Sequence, residues 1–424
     1  MWIALPDAPD LWLRNATLAD GTRADLRITG GVIAAVAPAG TAPAGADLKG
    51  GMALPCFADI HTHLDKGHVW PRSPNPDGTF MGAIGAVMAD RTAHWSAADM
   101  EARFEFGLRC AYAHGTAAIR THLDTYLPHG VETWEVFARM RSAWAGRVAL
   151  EGVSLCPIDR FAGDEGEAIA DLVAHHGGIL GFVTRFTGSG HDAIPDGFGD
   201  LLERCFALAE ARGLDLDLHV DESGETAAAT LPLIAKTALR RHFRGRIQVG
   251  HICSLSLQPE ATVAATIRLV ADAGIAVVSL PMCNMYLQDR TPGRTPRWRG
   301  VTLLHELAAA GVAVSVASDN CRDPFYAYGD HDMLEVFREA VRIAHLDHPV
   351  EPWFAAVTAT PAAAMRREAR VREGAPADLV LLRARAWHEA LARQQADRVV
   401  LRQGRAIDTA LPDYAELDPL LAPA

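Results

Sequence analysis

Residues 59–68, DIHTHLDKGH, set three histidines and two aspartates into ten positions, directly after the apolar, proline-containing run GGMALPCFA. Side chains alternate along a strand, so His61 and His63 point the same way if the apolar run is a strand. Two imidazoles on one face can share one ion, and histidine is the commonest nitrogen ligand for zinc and similar metals. The pair alone is a weak signal, because HxH also arises in hydrogen-bonded cores.

Three further stretches strengthen it. LDLDLHVDE ends an apolar run with His219 and, three residues on, Glu222; RIQVGHICS does so with His251, and VAVSVASDN with Asp319. Three histidines and one aspartate around a divalent ion leave a coordination position for water, as catalytic sites do and structural ones do not. Such an ion lowers the pKa of that water toward neutrality. A carboxylate that is not a ligand must then move protons between water, substrate nitrogen and leaving group, and Glu222 is the best placed. His251 either joins the ligands or donates a hydrogen bond to the attacking oxygen. Asp319 can both touch the metal and accept the water's proton.

These residues need a scaffold that brings the ends of several strands together. Eight strand-like runs recur: LPCFADIHTH, GTAAIRTHLD, RVALEGVSLCP, GILGFVTRF, LDLDLHVDE, RIQVGHICS, IAVVSLPMC and VAVSVASDN. Between them lie segments such as FGDLLERCFALAEARG, PEATVAATIRLVADAG and TLLHELAAAG, apolar at three- and four-residue spacing and closed by glycine. Eight βα units predict an α/β fold of the (β/α)8 TIM-barrel type, with active-site residues at the C-terminal strand ends. A doubly wound open sheet would bring a glycine-rich phosphate loop after its first strand, and none is present. The ends read differently. Short alternating strands and turns at 10–54 and 372–410 predict one small β-sandwich assembled from both termini, so the expected domains are 1–54 with 372–424, and a barrel over 55–371. Residues 70–85 read as a long loop beyond the first barrel strand.

Composition narrows the partners. The net charge of −12 without a Lys/Arg cluster argues against nucleic acid, whose phosphates demand a basic face. No apolar stretch reaches membrane-spanning length, and the first residues lack a basic region followed by an apolar one, so no secretory signal is expected. Seven scattered cysteines without CxxC spacing do not make a disulfide framework, which points to the cytoplasm. A small-molecule substrate and a homo-oligomeric assembly are the expected partners.

The motifs HTHLDK, IRTHLDT, HVDESGET, GHICSL, MCNMYLQDR, WRGVTLLHELAAAGV and SDNCRDPFYAYGDHDMLEVF, on these strands, resemble the amidohydrolase superfamily. The likeness is to its cytosine deaminase and N-isopropylammelide isopropylaminohydrolase branch and runs over residues 10–410. It implies a barrel with a β-sandwich and one divalent metal ion, Zn2+ or Fe2+, held by His61, His63, His219 and Asp319. Glu222 matches the proton shuttle, and His251 the residue beside the attacking water. Binuclear members bridge two metals through a carboxylated lysine at the end of strand 4. The corresponding stretch here is GFVTRF, and the chain has only Lys49, Lys66 and Lys236.

The resemblance also bears on substrate. Ile158 stands where cytosine deaminase reads the pyrimidine edge with glutamine, and an apolar residue leaves a buried ring amide unpaired at a cost of about 1–3 kcal/mol. Asn320 replaces a second aspartate and Phe325 a tryptophan, which together argue against cytosine itself. Lys66, Ile158, Asp159, Arg185, Asn284, Asn320 and Phe325 are the candidate substrate contacts, with Arg160, Gln288 and Arg322 as further loop residues. His68 and Asp65 read as loop residues. The expected reaction is hydrolysis of an exocyclic C–N bond of a small nitrogen heterocycle, such as a pyrimidine or triazine, releasing ammonia or an amine. The alternatives are opening of a cyclic amide, or an inactive barrel that only binds a heterocycle. Retention of Glu222 argues against the last, since binding alone needs no proton shuttle.

Overall fold

A computed structural model describes residues 2, 3, 5, 10–190 and 192–421. The chain opens with short strands β1 (Asp10–Thr17), β2 (Arg23–Thr29), β3 (Val32–Pro38), β4 (Ala46–Asp47) and β5 (Met52–Pro55). Eight strands follow: β6 (Phe57–Thr62), β7 (Thr116–Asp124), β8 (Ala149–Leu155), β9 (Leu180–Val183), β10 (Leu216–Val220), β11 (Ile247–His251), β12 (Ala276–Ser279) and β13 (Val314–Val316). One falls inside each of the eight predicted runs. The chain then returns as β14 (Leu379–Leu382), β15 (Val399–Arg402) and β16 (Arg405–Ala406).

Strands β6–β7–β8 form one parallel sheet and β9 to β13 another. Single backbone bridges span both gaps between them: Val153 with Ile179 and Pro157 with Val183 on one side, Thr62 with Asp319 on the other. At the second seam the Asp319 amide donates to the His61 carbonyl at 2.9 Å, and Thr62 Oγ1 donates to the Asp319 carbonyl at 2.8 Å.

Helices separate the strands, among them α1 (Phe80–His94), α2 (Ala97–Ala113), α3 (His129–Ala143), α4 (Gly163–His175), α5 (Phe198–Arg212), α6 (Leu231–Arg241), α7 (Glu260–Asp272), α8 (Pro281–Leu287), α9 (Leu304–Ala309) and α10 (Met333–Ala344). The glycines read as helix stops, Gly213, Gly274 and Gly311, all sit at positive φ, where a Cβ is penalised. Residues 70–85 are not all loop. Thr79 Oγ1 accepts the Gly82 amide at 3.0 Å and starts α1 at Phe80.

The strands are buried on both faces, yet they alternate. In β10, Leu216, Leu218 and Val220 join the main apolar core, while Asp217 and His219 point the other way. In β7, Ile119 and Leu123 join that core, while Arg120, His122 and Asp124 oppose them. The polar face of these strands thus lines the space where the site is built.

Hydrogen bonding joins the strands from both termini in one eight-stranded sheet, ordered β16–β15–β14–β5–β1–β2–β3 with β4 beside β1. It has a core of its own around Leu13, Leu26, Ile28, Leu379 and Leu401. The Ile33 amide donates to the Ala375 carbonyl, so the free edge at β3 comes back against the segment that leads into β14. Strands from both ends of the described chain thus share one continuous hydrogen-bonded sheet.

Candidate metal centre and active site

His61 is the last residue but one of β6, and His63 directly follows the strand; His219 sits on β10, and Asp319 three residues beyond β13. His219 Nε2 lies 3.2 Å from His61 Nε2 and 3.4 Å from His63 Nε2. Asp319 Oδ1 lies 3.5 Å from His61 Nε2 and 3.2 Å from His63 Nε2. All four side chains are buried. Ligand atoms at the corners of a tetrahedron about 2.1 Å from a zinc-sized ion would stand roughly 3.4 Å apart, so the spacing fits one such ion. The electrostatics fit as well. Burial, then the charges around them, hold the three imidazoles well below their usual pKa, so they are neutral and keep a lone pair for a metal. Neither carboxylate oxygen of Asp319 has a hydrogen-bond partner. Burial pushes that carboxyl up to about 8, as expected of an acid lacking its counter-charge.

Glu222 is placed by a loop clamp rather than by a strand. Asp221, at φ 49°, accepts Thr230 N at 2.9 Å, Thr230 Oγ1 at 2.6 Å and Leu231 N at 3.1 Å, so it fixes the turn after β10. Helix α8 then contributes Asn284, whose Nδ2 lies 3.0 Å from both Glu222 Oε1 and His251 Nδ1. Glu222 Oε1 is 3.3 Å from His251 Nδ1. Burial and the neighbouring Asp319 raise the Glu222 carboxyl well above its ordinary range, the direction a proton carrier needs. His251 Nε2 has no hydrogen-bond partner, and one of the His251 ring nitrogens lies within 4.8 Å of ligand atoms of His61 and His219.

A cavity opens above these groups. Lys66, Arg185, Asn320 and Phe325 line it, as do His63, His219, Glu222, His251 and Asp319. Asn284 stands behind Glu222, and Gln288 Nε2 donates to the Glu222 carbonyl at 3.3 Å. Two expected contacts lie elsewhere. The short helical turn Ile158–Phe161 buries Ile158 fully in the apolar core, and Leu155 and Val183 line the cavity instead. Asp159 accepts the Thr187 amide at 2.9 Å, outside the lining. Arg160 pairs with Glu165 at 2.5 Å, and Arg322 stacks on Tyr414 at 4.0 Å.

Other lining residues escaped sequence reasoning. Ile84, Val87, Met88 and Arg91 of α1 wall the cavity, with Tyr126 and Asp124 from the end of β7. Lys66 Nζ bonds Asp124 Oδ1 at 2.5 Å, and Arg91 bonds the other oxygen. Burial opposes the Lys66 charge, but Asp124 and Asp65 outweigh it and raise its pKa. His122 stacks on His61 with ring centroids 3.9 Å apart, and Arg120 binds Asp217 Oδ2 at 2.9 Å beneath. The two-residue spacing of Arg120, His122 and Asp124 in IRTHLDT is the same signal that marked His61 and His63.

Known proteins resemble this chain over most of its length. A profile described as the amidohydrolase family matches residues 167–407, more than half of the chain. A pterin deaminase of Rhizobium rhizogenes (strain K84 / ATCC BAA-868) is 55% identical over 94% of this chain and 91% of its own length. The chain belongs to the amidohydrolase family. Amidohydrolases use a divalent metal, and this one is a hydrolase of carbon–nitrogen bonds that deaminates a nitrogen heterocycle. The N-isopropylammelide isopropyl amidohydrolase of Pseudomonas sp. (strain ADP) is 25% identical over 77% of the chain and 78% of its own. Among solved amidohydrolase folds, the 5-methylcytosine deaminase of Klebsiella pneumoniae superposes with a TM-score of 0.83 at 23% identity, covering 95% of this chain and 98% of its own. The N-isopropylammelide isopropylaminohydrolase of Burkholderia multivorans does so at 0.78 and 27% identity, covering 96% and 100%.

Proposed function

We propose that this amidohydrolase removes the exocyclic amino group of a pterin-type ring, giving the oxo ring and ammonia, with one zinc ion held by His61, His63, His219 and Asp319. The observation that carries this reading is the convergence of those four side chains beneath a cavity that also holds Glu222. Identity of 55% to a pterin deaminase supports the ring class. Ferrous iron is the second choice of metal for the same donor set.

A bound divalent ion supplies acidification of the attacking water. The residues do the rest. Glu222 takes the water's proton, delivers it to the ring nitrogen beside the attacked carbon, and then carries a proton to the departing amine. Asn284 and His251 hold Glu222 at the reacting carbon. Phe80, Ile84, Met88 and Phe325 present apolar surface to a flat ring and exclude water, while Lys66, Arg91 and Asp124 offer a charged edge for its carbonyl and ring amide. Ring opening through a lysine-bridged metal pair loses support, because Lys66 is bonded to Asp124.

The same reading treats the eight parallel strands as a (β/α)8 barrel over 55–371 and the terminal sheet as the β-sandwich unit of 1–54 and 372–424. The bridges across both seams support the first, and the separate core within that sheet supports the second. A cytoplasmic, homo-oligomeric enzyme completes the proposal; seven buried free cysteines suit a reducing compartment.

The test is ammonia release by zinc-loaded protein over pterins, 5-methylcytosine, ammelide derivatives and purines. Pterins should be the best substrates. Preference for another ring would move the substrate assignment, and no turnover of any ring would sink the proposal.

A further inference from the structure

A second group of ligand-type side chains lies outside the cavity. His68 follows β6 by six residues, Cys321 follows Asp319 by two, and His331 stands two residues before α10. All three are buried, and one donor atom from each lies within 4.8 Å of the other two. The loops that carry them are tied together, since the His68 amide donates to the Cys321 carbonyl at 3.0 Å. Helix α2 seals the group: the Phe106 ring meets His68 edge-on at 4.9 Å, and a Cβ added at Gly107 would come within 3.0 Å of His331 Nε2.

The hydrogen bonding of this group is the anomaly. Neither ring nitrogen of His68 has a partner, nor does either of His331. A neutral imidazole carries one donor and one acceptor, so the two buried imidazoles leave four polar ring atoms without a protein partner. Lone pairs that find no proton donor are free for a metal.

We propose that His68, Cys321 and His331 form a second divalent-metal site, of the zinc type, walled off from the catalytic cavity. One thiolate and two imidazoles are a donor set that zinc favours. Binding replaces the Cys321 thiol proton, which leaves to solvent, and no oxidation state changes. The Asp330 carboxylate adjoins His331, accepts Tyr414 Oη at 2.7 Å and pairs with His114 at 2.9 Å, so negative charge stands beside the ion. Arg322, over the Tyr414 ring at 4.0 Å, is the opposing charge. The three ligands line no part of the catalytic cavity, so substrate does not reach the ion. What the ion joins is the loop after β6, which begins at His63, to the loop after β13, which carries Asp319.

The test uses the full-length protein. Elemental analysis after zinc saturation and dialysis should find two equivalents in the wild type, and one in Cys321→Ser and in His331→Gln. Loading with cobalt instead gives an independent readout. The catalytic donors include no sulfur, so a near-ultraviolet sulfur-to-cobalt band reports the second site alone and should vanish in Cys321→Ser. One equivalent at saturation in the wild type, or two without a sulfur band, overturns the proposal. If either variant fails to fold, stoichiometry and the cobalt spectrum of the wild type decide.

Discussion

Two groups of buried histidines stand a few residues apart in this chain and differ in what surrounds them. His61, His63, His219 and His251 meet Asp319 and Glu222, and the last three of these histidines line a cavity walled by α1. His68 and His331 meet Cys321 and are sealed by α2. Burial keeps the imidazoles of both groups neutral, and His331 is lowered to about 4. The difference therefore lies in access and carboxylates rather than in histidine chemistry. An open face with an acid of raised pKa can exchange water and move protons; a closed face with a thiol can only hold.

The open group should break hardest. His61→Ala or Asp319→Ala should lose one equivalent of metal and take turnover to background while the circular dichroism spectrum stays native. Metal content with residual activity would show that the four side chains are not the ligand set. Glu222→Gln should keep the metal and lower kcat by about 10²–10⁴-fold, the usual contribution of a positioned acid–base group. Unchanged kcat would remove Glu222 from proton transfer. Lys66→Met takes one charged donor from the cavity edge and leaves Asp124 with Arg91 alone. A hydrogen bond to a charged group is worth about 1.5–3 kcal/mol, so kcat/KM should fall by roughly 10- to 100-fold, mainly through KM.

The sealed side should respond through stability. Asp332 caps α10 beside His331 by accepting Leu334 N at 2.9 Å, and it pairs with Arg398 at 2.6 Å. Burial alone would raise its carboxyl, but Arg398, His114 and the cap outweigh it and hold the pKa at about 2. A folded pKa below the unfolded value of about 3.9 adds stability that is full above that value and fades as pH falls toward 2, about 2–3 kcal/mol in all. Asp332→Asn should therefore be less stable than the wild type by about that much at pH 6, with the gap narrowing by pH 3, measured by urea unfolding. An equal gap at both values would disconnect the carboxyl's charge from stability.

The elements of this fold were legible where local pattern decides them. Every parallel strand lies in a run that alternates or breaks from apolar to polar, and helix stops stood out as glycines because only glycine enters the left-handed region without strain. His61, His63, His219, His251 and Asp319 were legible because each interrupts an apolar run at its end. The α1 wall was not. Phe80, Ile84, Val87 and Met88 recur at helical spacing on one face, and a core-facing stripe reads the same, so nothing local says that this face lines a cavity. Ile158 was misplaced because a single helical turn rotates its side chain into the core. The approach of His68 to His331 spans most of the region that carries the eight parallel strands and leaves no periodic trace.

The Thr62–Asp319 bridge has a consequence for biosynthesis. It joins the first parallel strand to residues just past the last, and the same aspartate stands among the proposed metal donors. A nascent chain that has not yet delivered residue 319 of 424 holds His61, His63 and His219 but neither the seam nor the carboxylate that balances the ion's charge. Loading of this site thus waits until residue 319 has been made, and a product truncated before it is left without the carboxylate.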